Sequence, residues 1–141
     1  MDLEKIQEMW EKDSKIDDIM LDKASLKIPQ LHQKYLTLLN NNRLLRKKKA
    51  QELKKVSHHK WLYYSGKAAP EAYEKEPFNY KVMKSDVPNW VAVDDTILKM
   101  EMQIEYYDTV IDTLSEILKQ VHQISYNVKN AIAWRTFTGG V

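Results

Sequence analysis

Residues 43–67 are the part of this chain best suited to chemistry with another molecule. They include nine Lys or Arg and one acid, Glu52, and they end in a group of aromatic residues, Trp61, Tyr63 and Tyr64. Cations at this density attract polyanions, and flat rings can stack nucleobases, which contributes about 1 to 3 kcal/mol per base. Single-stranded nucleic acid is therefore the first hypothesis. A solvated basic face on an ordinary helix is the alternative.

The other reactive side chains form no pattern typical of catalysis or metal binding. The chain has no cysteine, so it offers no disulfide, thiolate ligand or cysteine nucleophile, and it has no glycine-rich phosphate-binding motif. His58 and His59 are adjacent, hence about 100° apart on a helix, unlike the i, i+4 pairs that bind zinc. The acidic pairs at 17–18 and 94–95 are explained by helix starts and solvated faces. We expect no enzymatic activity and no cofactor.

The charge is unevenly distributed along the chain. The formal net charge is +2, but residues 1–23, 24–85 and 86–141 carry net charges of −4, +10 and −4. A basic middle flanked by acidic ends can steer a polyanion to one surface and can let subunits attract one another. The sequence shows neither a signal peptide nor an apolar run of about 20 residues, so we expect a soluble, intracellular protein.

A long helix must position the basic residues. Because Pro29 is best tolerated near a helix start and Gly66 marks a helix end, the sequence predicts a helix over 30–64. Arg43, Lys47, Lys54 and His58 fall on one face of it, with Trp61 in line, and we call these five residues the basic stripe. The stripe is about 27 Å long, enough to follow several nucleotides. Another face carries a predicted core stripe of Leu31, Tyr35, Leu38, Leu45, Leu53 and Val56.

The last third of the chain has the most regular apolar pattern. A stripe of mostly apolar residues in 97–132 follows alternating spacings of three and four without a break, after a suitable N-cap at Asp94 or Asp95. By contrast, only a short amphipathic helix is predicted near the N-terminus. Val110, Ile117, Ile124 and Ala131, beside that stripe, are apolar as well, so the buried face is wide. Pairing within the chain and self-assembly into more than two subunits are compatible explanations. The predicted oligomerisation residues are Ile104, Tyr107, Ile111, Leu114, Leu118, Val121 and Val128.

These elements predict one mainly α-helical, oligomeric domain. It comprises an acidic segment at 1–23, the basic helix at 24–66, an irregular connector at 67–93 and the oligomerisation helix at 94–138. Short alternating stretches around 78–84 and 90–93 predict that the connector could hold a short β-hairpin.

The chain resembles the UvsY family of recombination mediators from tailed phages. The resemblance rests on the opening Met-Asp-Leu-Glu-Lys-Ile-Gln-Glu, on the basic helix that closes on Tyr-Tyr-Ser-Gly at 63–66, and on the apolar C-terminal helix. It implies a DNA-binding protein that forms hexamers or heptamers, weakens the hold of a single-strand DNA-binding protein on DNA, and helps load a RecA-like recombinase in the cytoplasm of the infected host cell.

The resemblance also implies which basic pair contacts DNA. That pair falls on His58 and Lys60, although the family residue at the first position is a lysine and a mostly neutral imidazole releases fewer counterions. With the neighbouring cations, the predicted nucleic-acid-binding residues are Arg43, Arg46, Lys47, Lys54, Lys55, His58, Lys60, Trp61 and Lys67.

Two other functions use the same basic helix. A structural protein could condense duplex DNA through it, and a peripheral adaptor could bind anionic lipid with it. The second is disfavoured because no large apolar patch lies beside the stripe, so we expect no membrane partner. Tyr63 shares a side with Leu45 and Val56, which favours a core position, whereas Trp61 is the better candidate for stacking bases.

Overall fold

The computed structural model describes residues 2–16 and 20–139 and is mainly helical, as predicted. Its helices are α1 (Leu3–Asp13), α2 (Leu21–Tyr64), α3 (Pro70–Lys75), α4 (Val87–Ala92) and α5 (Asp95–Thr138). The chain divides into two compact units, one from residues 1–43 and 109–141 and the other from residues 44–108. The acidic pair at 17–18 and Gly140 lie outside the described residues.

The first unit is built around α1, the first half of α2 and the second half of α5. Asp2 caps α1 by accepting a 2.9 Å hydrogen bond from the Lys5 N–H, and Ile6 is fully buried. The predicted short amphipathic helix is therefore confirmed. The buried core of this unit consists of Ile6, Tyr35, Leu39, Val110, Leu114, Ile117 and Val121.

A polar network closes this core at the end of α1. The Trp10 ring stands edge-on to Tyr35 at 5.4 Å, and its Nε1–H donates to Gln120 at 3.0 Å. The Tyr35 hydroxyl and the Lys34 ammonium both donate to Asp13 Oδ2, at 2.8 and 2.6 Å. Burial and then the hydrogen bond to Asp13 raise the pKa of Tyr35. Burial alone would raise the pKa of Asp13, but the two donors outweigh it and lower that pKa.

The buried side of α5 is offset from the predicted stripe. In the first unit, Val110 and Ile117, beside the stripe, are as buried as Leu114 and Val121, whereas Ile111 and Leu118 are only partly buried. Five of the seven predicted oligomerisation residues belong to this unit, and three of them, Leu114, Val121 and Val128, are buried within the chain itself. Packing within one chain therefore uses one side of the helix and leaves a half-buried apolar flank.

Three details of the predicted fold are wrong. Helix α2 begins at Leu21 and runs through Pro29, which is exposed, so the helix tolerates the loss of one backbone donor there. Leu45, predicted in the core, is 47 % exposed, whereas Leu39, one turn after Tyr35, is buried although it was not predicted. The predicted hairpin is absent: residues 77–83 carry no regular structure, Val87–Ala92 is helical, and the described residues contain no strand.

Replacing Tyr35 with Phe should destabilise the protein, because Asp13 loses one of its two side-chain donors at a partly buried position. We expect a loss of about 1 to 2 kcal/mol in the free energy of unfolding, measured by urea denaturation. Tyr126→Phe is the matched control, since Tyr126 is 54 % exposed. Equal stability of the two variants would show that the hydroxyl of Tyr35 has no net stabilising effect.

Candidate nucleic-acid interface

The exposed face of α2 in the second unit carries a concentrated positive charge. Lys47, Lys48, Lys54 and Lys55, which we call the outer cations, are all exposed, and none of them forms an ion pair within the described residues. Their spacings of one and seven residues place them within about 120° of one another around the helix. They can therefore meet one extended polyanion together.

Two other members of the basic stripe are exposed as well. His58 is exposed, and its ring centroid lies 6.2 Å from that of His59. Arg43, which is the last residue of α2 in the first unit, is also exposed. No group of three or more residues in the described chain could hold a metal ion.

Lys48 is a member of this surface that the sequence-based prediction missed. It lines a shallow cleft together with Gln51, Glu52, Lys54 and Lys55. Its spacing could have identified it, because Lys48 and Lys55 are seven residues apart and therefore lie on the same face of the helix.

Arg46 and Lys60, by contrast, lie on the inward side of α2 and are paired with carboxylates. Lys60 is thirteen residues from Lys47, which places it about 140° away around the helix. Arg46 donates to both carboxylate oxygens of Asp108, and this hydrogen bonding raises its pKa. The Lys60 ammonium lies 3.3 Å from Asp94 Oδ2, and its side chain is only 22 % exposed.

Asp94 connects the end of α2 to the start of α5. Its Oδ1 accepts from the backbone N–H groups of Thr96 and Ile97, at 2.9 and 3.3 Å, so it is the predicted N-cap. Its Oδ2 accepts a 2.6 Å hydrogen bond from the Tyr64 hydroxyl. Burial would raise the pKa of Asp94, but the donors and the Lys60 charge outweigh it and lower that pKa. Burial and the bond to Asp94 raise the pKa of Tyr64.

The aromatic residues at the end of α2 are engaged within the second unit. The Tyr63 ring stacks on Tyr73 at 5.2 Å, and its hydroxyl donates to the Glu76 carbonyl at 2.7 Å. Both tyrosines of the pair are half-buried, so Tyr63 packs against other rings but does not belong to the buried core. Trp61 is also half-buried, and the ammonium of the exposed Lys67 lies 5.3 Å from the centroid of its ring. The ring of Trp61 therefore already has a cation beside it.

The predicted site residues therefore separate into an outward and an inward group. The structure brings Lys47, Lys54, Lys55 and His58 together on the exposed face of α2 and pairs Trp61 with Lys67. Arg46, whose side chain is still 40 % exposed, and Lys60 are instead paired with carboxylates. Within the described residues, no helix has an apolar stretch long enough to cross a bilayer.

Known proteins resemble this chain in both sequence and fold. A family model described as recombination, repair and ssDNA binding protein UvsY matches residues 9–141. The recombination protein uvsY of Enterobacteria phage T4 is 25 % identical over 143 residues, covering 99 % of each chain.

Solved structures share the fold at lower identity. The crystal structure of the bacteriophage T4 recombination mediator protein UvsY in lattice type II superposes with a TM-score of 0.85 at 22 % identity, covering 99 % of this chain and 98 % of that one. The type I lattice gives a TM-score of 0.83 at 21 % identity, with 95 % and 98 % covered.

Replacing Asp94 with Asn should destabilise the protein at neutral pH, because Lys60 and Tyr64 lose a charged acceptor. We expect a loss of about 2 kcal/mol in the free energy of unfolding. The folded pKa of Asp94 is lowered, so its stabilisation is present above the ordinary pKa of 3.8 and is lost as the pH falls through the folded value.

The measurement is urea denaturation at pH 7 and pH 3, with Asp95→Asn as the control because Asp95 is exposed. The difference between wild type and Asp94→Asn should shrink at pH 3, whereas Asp95→Asn should stay close to wild type at both values. A gap that does not change with pH would contradict the proposed role of the Asp94 charge.

Proposed function

The chain belongs to the UvsY family of recombination, repair and single-stranded DNA-binding proteins, and from that premise we propose that its outer cations bind the backbone of single-stranded DNA. The observation that carries this proposal is the alignment of Lys47, Lys48, Lys54 and Lys55 on one exposed face without carboxylate partners in the described chain. Phosphates can approach such cations without first displacing an internal ion pair.

The individual cations contribute unequally in this proposal. The outer cations and Arg43 contact phosphates, and the exposed ring of His58 adds a hydrogen-bond donor to a phosphate oxygen. Arg46 and Lys60 act chiefly by holding Asp108 and Asp94, since a phosphate would have to compete with a carboxylate already in place. Trp61 and Lys67 form the edge of the surface at the end of α2.

We propose that the protein works as an assembly of several chains. The partly buried Ile111 and Leu118 leave an apolar flank on α5 that packing within the first unit does not fully cover. Contacts between copies through this flank would repeat the outer cations in each subunit. The resemblance to the UvsY family suggests hexamers or heptamers. Many weak phosphate contacts would then combine into tight binding.

A strand held in this way can be handed to a recombinase. We propose that the assembly loosens a single-strand DNA-binding protein from the strand and helps load a RecA-like recombinase, in the cytoplasm of an infected host cell. This role requires binding and exchange of partners, and it requires no catalytic step and no cofactor from this chain.

Replacing Lys54 and Lys55 together with Ala should weaken binding to labelled oligo-dT in fluorescence anisotropy. It should also flatten the dependence of log K on log salt concentration by roughly 0.7 for each lost phosphate contact. Lys99→Ala with Lys119→Ala is the control, because both of these lysines are exposed on α5. Lys60→Ala should lower stability more than affinity.

Unlabelled single-stranded and duplex competitors of the same length complete this experiment. Unchanged affinity of the Lys54/Lys55 variant would contradict the proposed site. A preference of the wild type for duplex DNA would favour a DNA-condensing function over recombination mediation.

Replacing Ile111 and Leu118 together with Ser should release smaller species, which light scattering would detect as a lower mass per particle. These positions are better suited than Leu114, which is fully buried in its own chain, so that its replacement would unfold the monomer. Leu98→Ser with Met102→Ser is the control, since both side chains are exposed on α5 outside the predicted stripe. An unchanged mass would show that the α5 flank is not an assembly surface.

A further inference from the structure

An exposed aromatic ring lies in the connector between α3 and α4. Tyr80 is 70 % exposed, in a segment without regular secondary structure. Its ring centroid nevertheless lies 5.6 Å from both Trp90 and Phe78, with interplanar angles of 37° and 55°. Tyr80 is therefore held by ring contacts on one side while most of its surface faces solvent.

The rings behind Tyr80 give this surface a fixed base. Trp90, on α4, is half-buried and contacts Phe78 edge-on at 5.4 Å and Tyr64 at 5.9 Å. Phe78 in turn contacts Tyr63 and Tyr64 at 5.4 and 5.2 Å. Because Tyr64 is tied to Asp94 by its hydroxyl, the cluster is anchored to both long helices within the second unit. A ligand that stacks on Tyr80 would meet a ring that is already positioned.

Two lysines follow Tyr80 closely in sequence. Lys81 and Lys84 are both exposed, and neither forms an ion pair within the described residues. Glu76 and Asp86 are the acids nearest to them in sequence, and residues 77–86 contain two lysines and one acid. A planar apolar face beside two unpaired ammonium groups is the combination that binds a nucleotide, whose base stacks while its phosphates are neutralised.

We propose that Tyr80, supported by Trp90, stacks a base of bound single-stranded DNA while Lys81 and Lys84 contact the adjoining phosphates. The inference rests on the proposed function and adds to it a contact with bases, which the outer cations do not provide. It also departs from the sequence-based expectation that Trp61 is the stacking residue, since Trp61 already has the Lys67 ammonium beside its ring.

An acidic peptide with aromatic side chains is the competing ligand for this surface, because Met83 is also 70 % exposed. The nucleotide is favoured because Tyr80 presents a flat exposed ring, and the segment offers neither a strand edge nor a helical groove for a peptide backbone.

The test compares two oligonucleotides with the same number of phosphates, oligo-dT and a fully abasic strand. Tyr80→Ala should weaken binding to oligo-dT about five- to tenfold or more in fluorescence anisotropy and leave binding to the abasic strand unchanged. Tyr80→Phe, which keeps the ring, should bind both strands like wild type. Tyr126→Ala is the matched control, because Tyr126 is another largely exposed tyrosine.

The outcomes separate this inference from the proposed function. If the wild type binds oligo-dT and Tyr80→Ala binds it equally well, the stacking role is overturned. The outer cations would then remain as the binding site. If Tyr80→Ala instead lost binding to a peptide of alternating Asp and Phe while keeping oligo-dT affinity, the surface would belong to a protein partner. Failure of the wild type to bind oligo-dT at all would reject the proposed function itself.

Discussion

The carboxylate of Asp94 is the contact on which the second unit most depends. One oxygen caps the first turn of α5, and the other accepts from Tyr64 at the end of α2, beside the Lys60 ammonium. A buried carboxylate is unfavourable unless its lone pairs are satisfied, so all of these donors must be present together. The same donors that satisfy Asp94 therefore join the last turns of α2 to the first turn of α5. They also hold Tyr64 in place for the aromatic cluster packed on it.

This constraint gives the two faces of α2 different tasks. Inward cations such as Arg46 and Lys60 are held by carboxylates, whereas the outer cations have no such partner in the described residues. An inward lysine that bound DNA would leave Asp94 without its counter-charge, at a cost in stability. A cation on the outer face can exchange its small counterions for phosphate without that cost. In the proposed function, binding and folding therefore use different sides of one helix.

Much of this arrangement could be predicted from the sequence, because periodicity and helix-stop residues are local signals. The long helices, the N-cap at Asp94 and the exposed line of Lys47 and Lys54 all follow from spacing. The helix start at Leu21 could not be predicted from Pro29, because an exposed proline can be tolerated when the flanking turns are held by other contacts. The pairing of Lys60 with Asp94 depends on residues 34 positions apart, and no local pattern encodes that approach.

The number of cations in the basic run overstates the charge that DNA can meet. Of the nine Lys and Arg in residues 43–67, all within the described chain, Arg46, Lys49 and Lys60 are paired with carboxylates. Lys67 lies against the ring of Trp61, which leaves Arg43 and the outer cations. So few exposed cations give one chain only a modest, salt-sensitive hold on a single strand. Tight binding then requires either repetition of the surface in an assembly or additional contacts to the bases. An exposed ring such as Tyr80 can supply contacts to the bases without adding net charge.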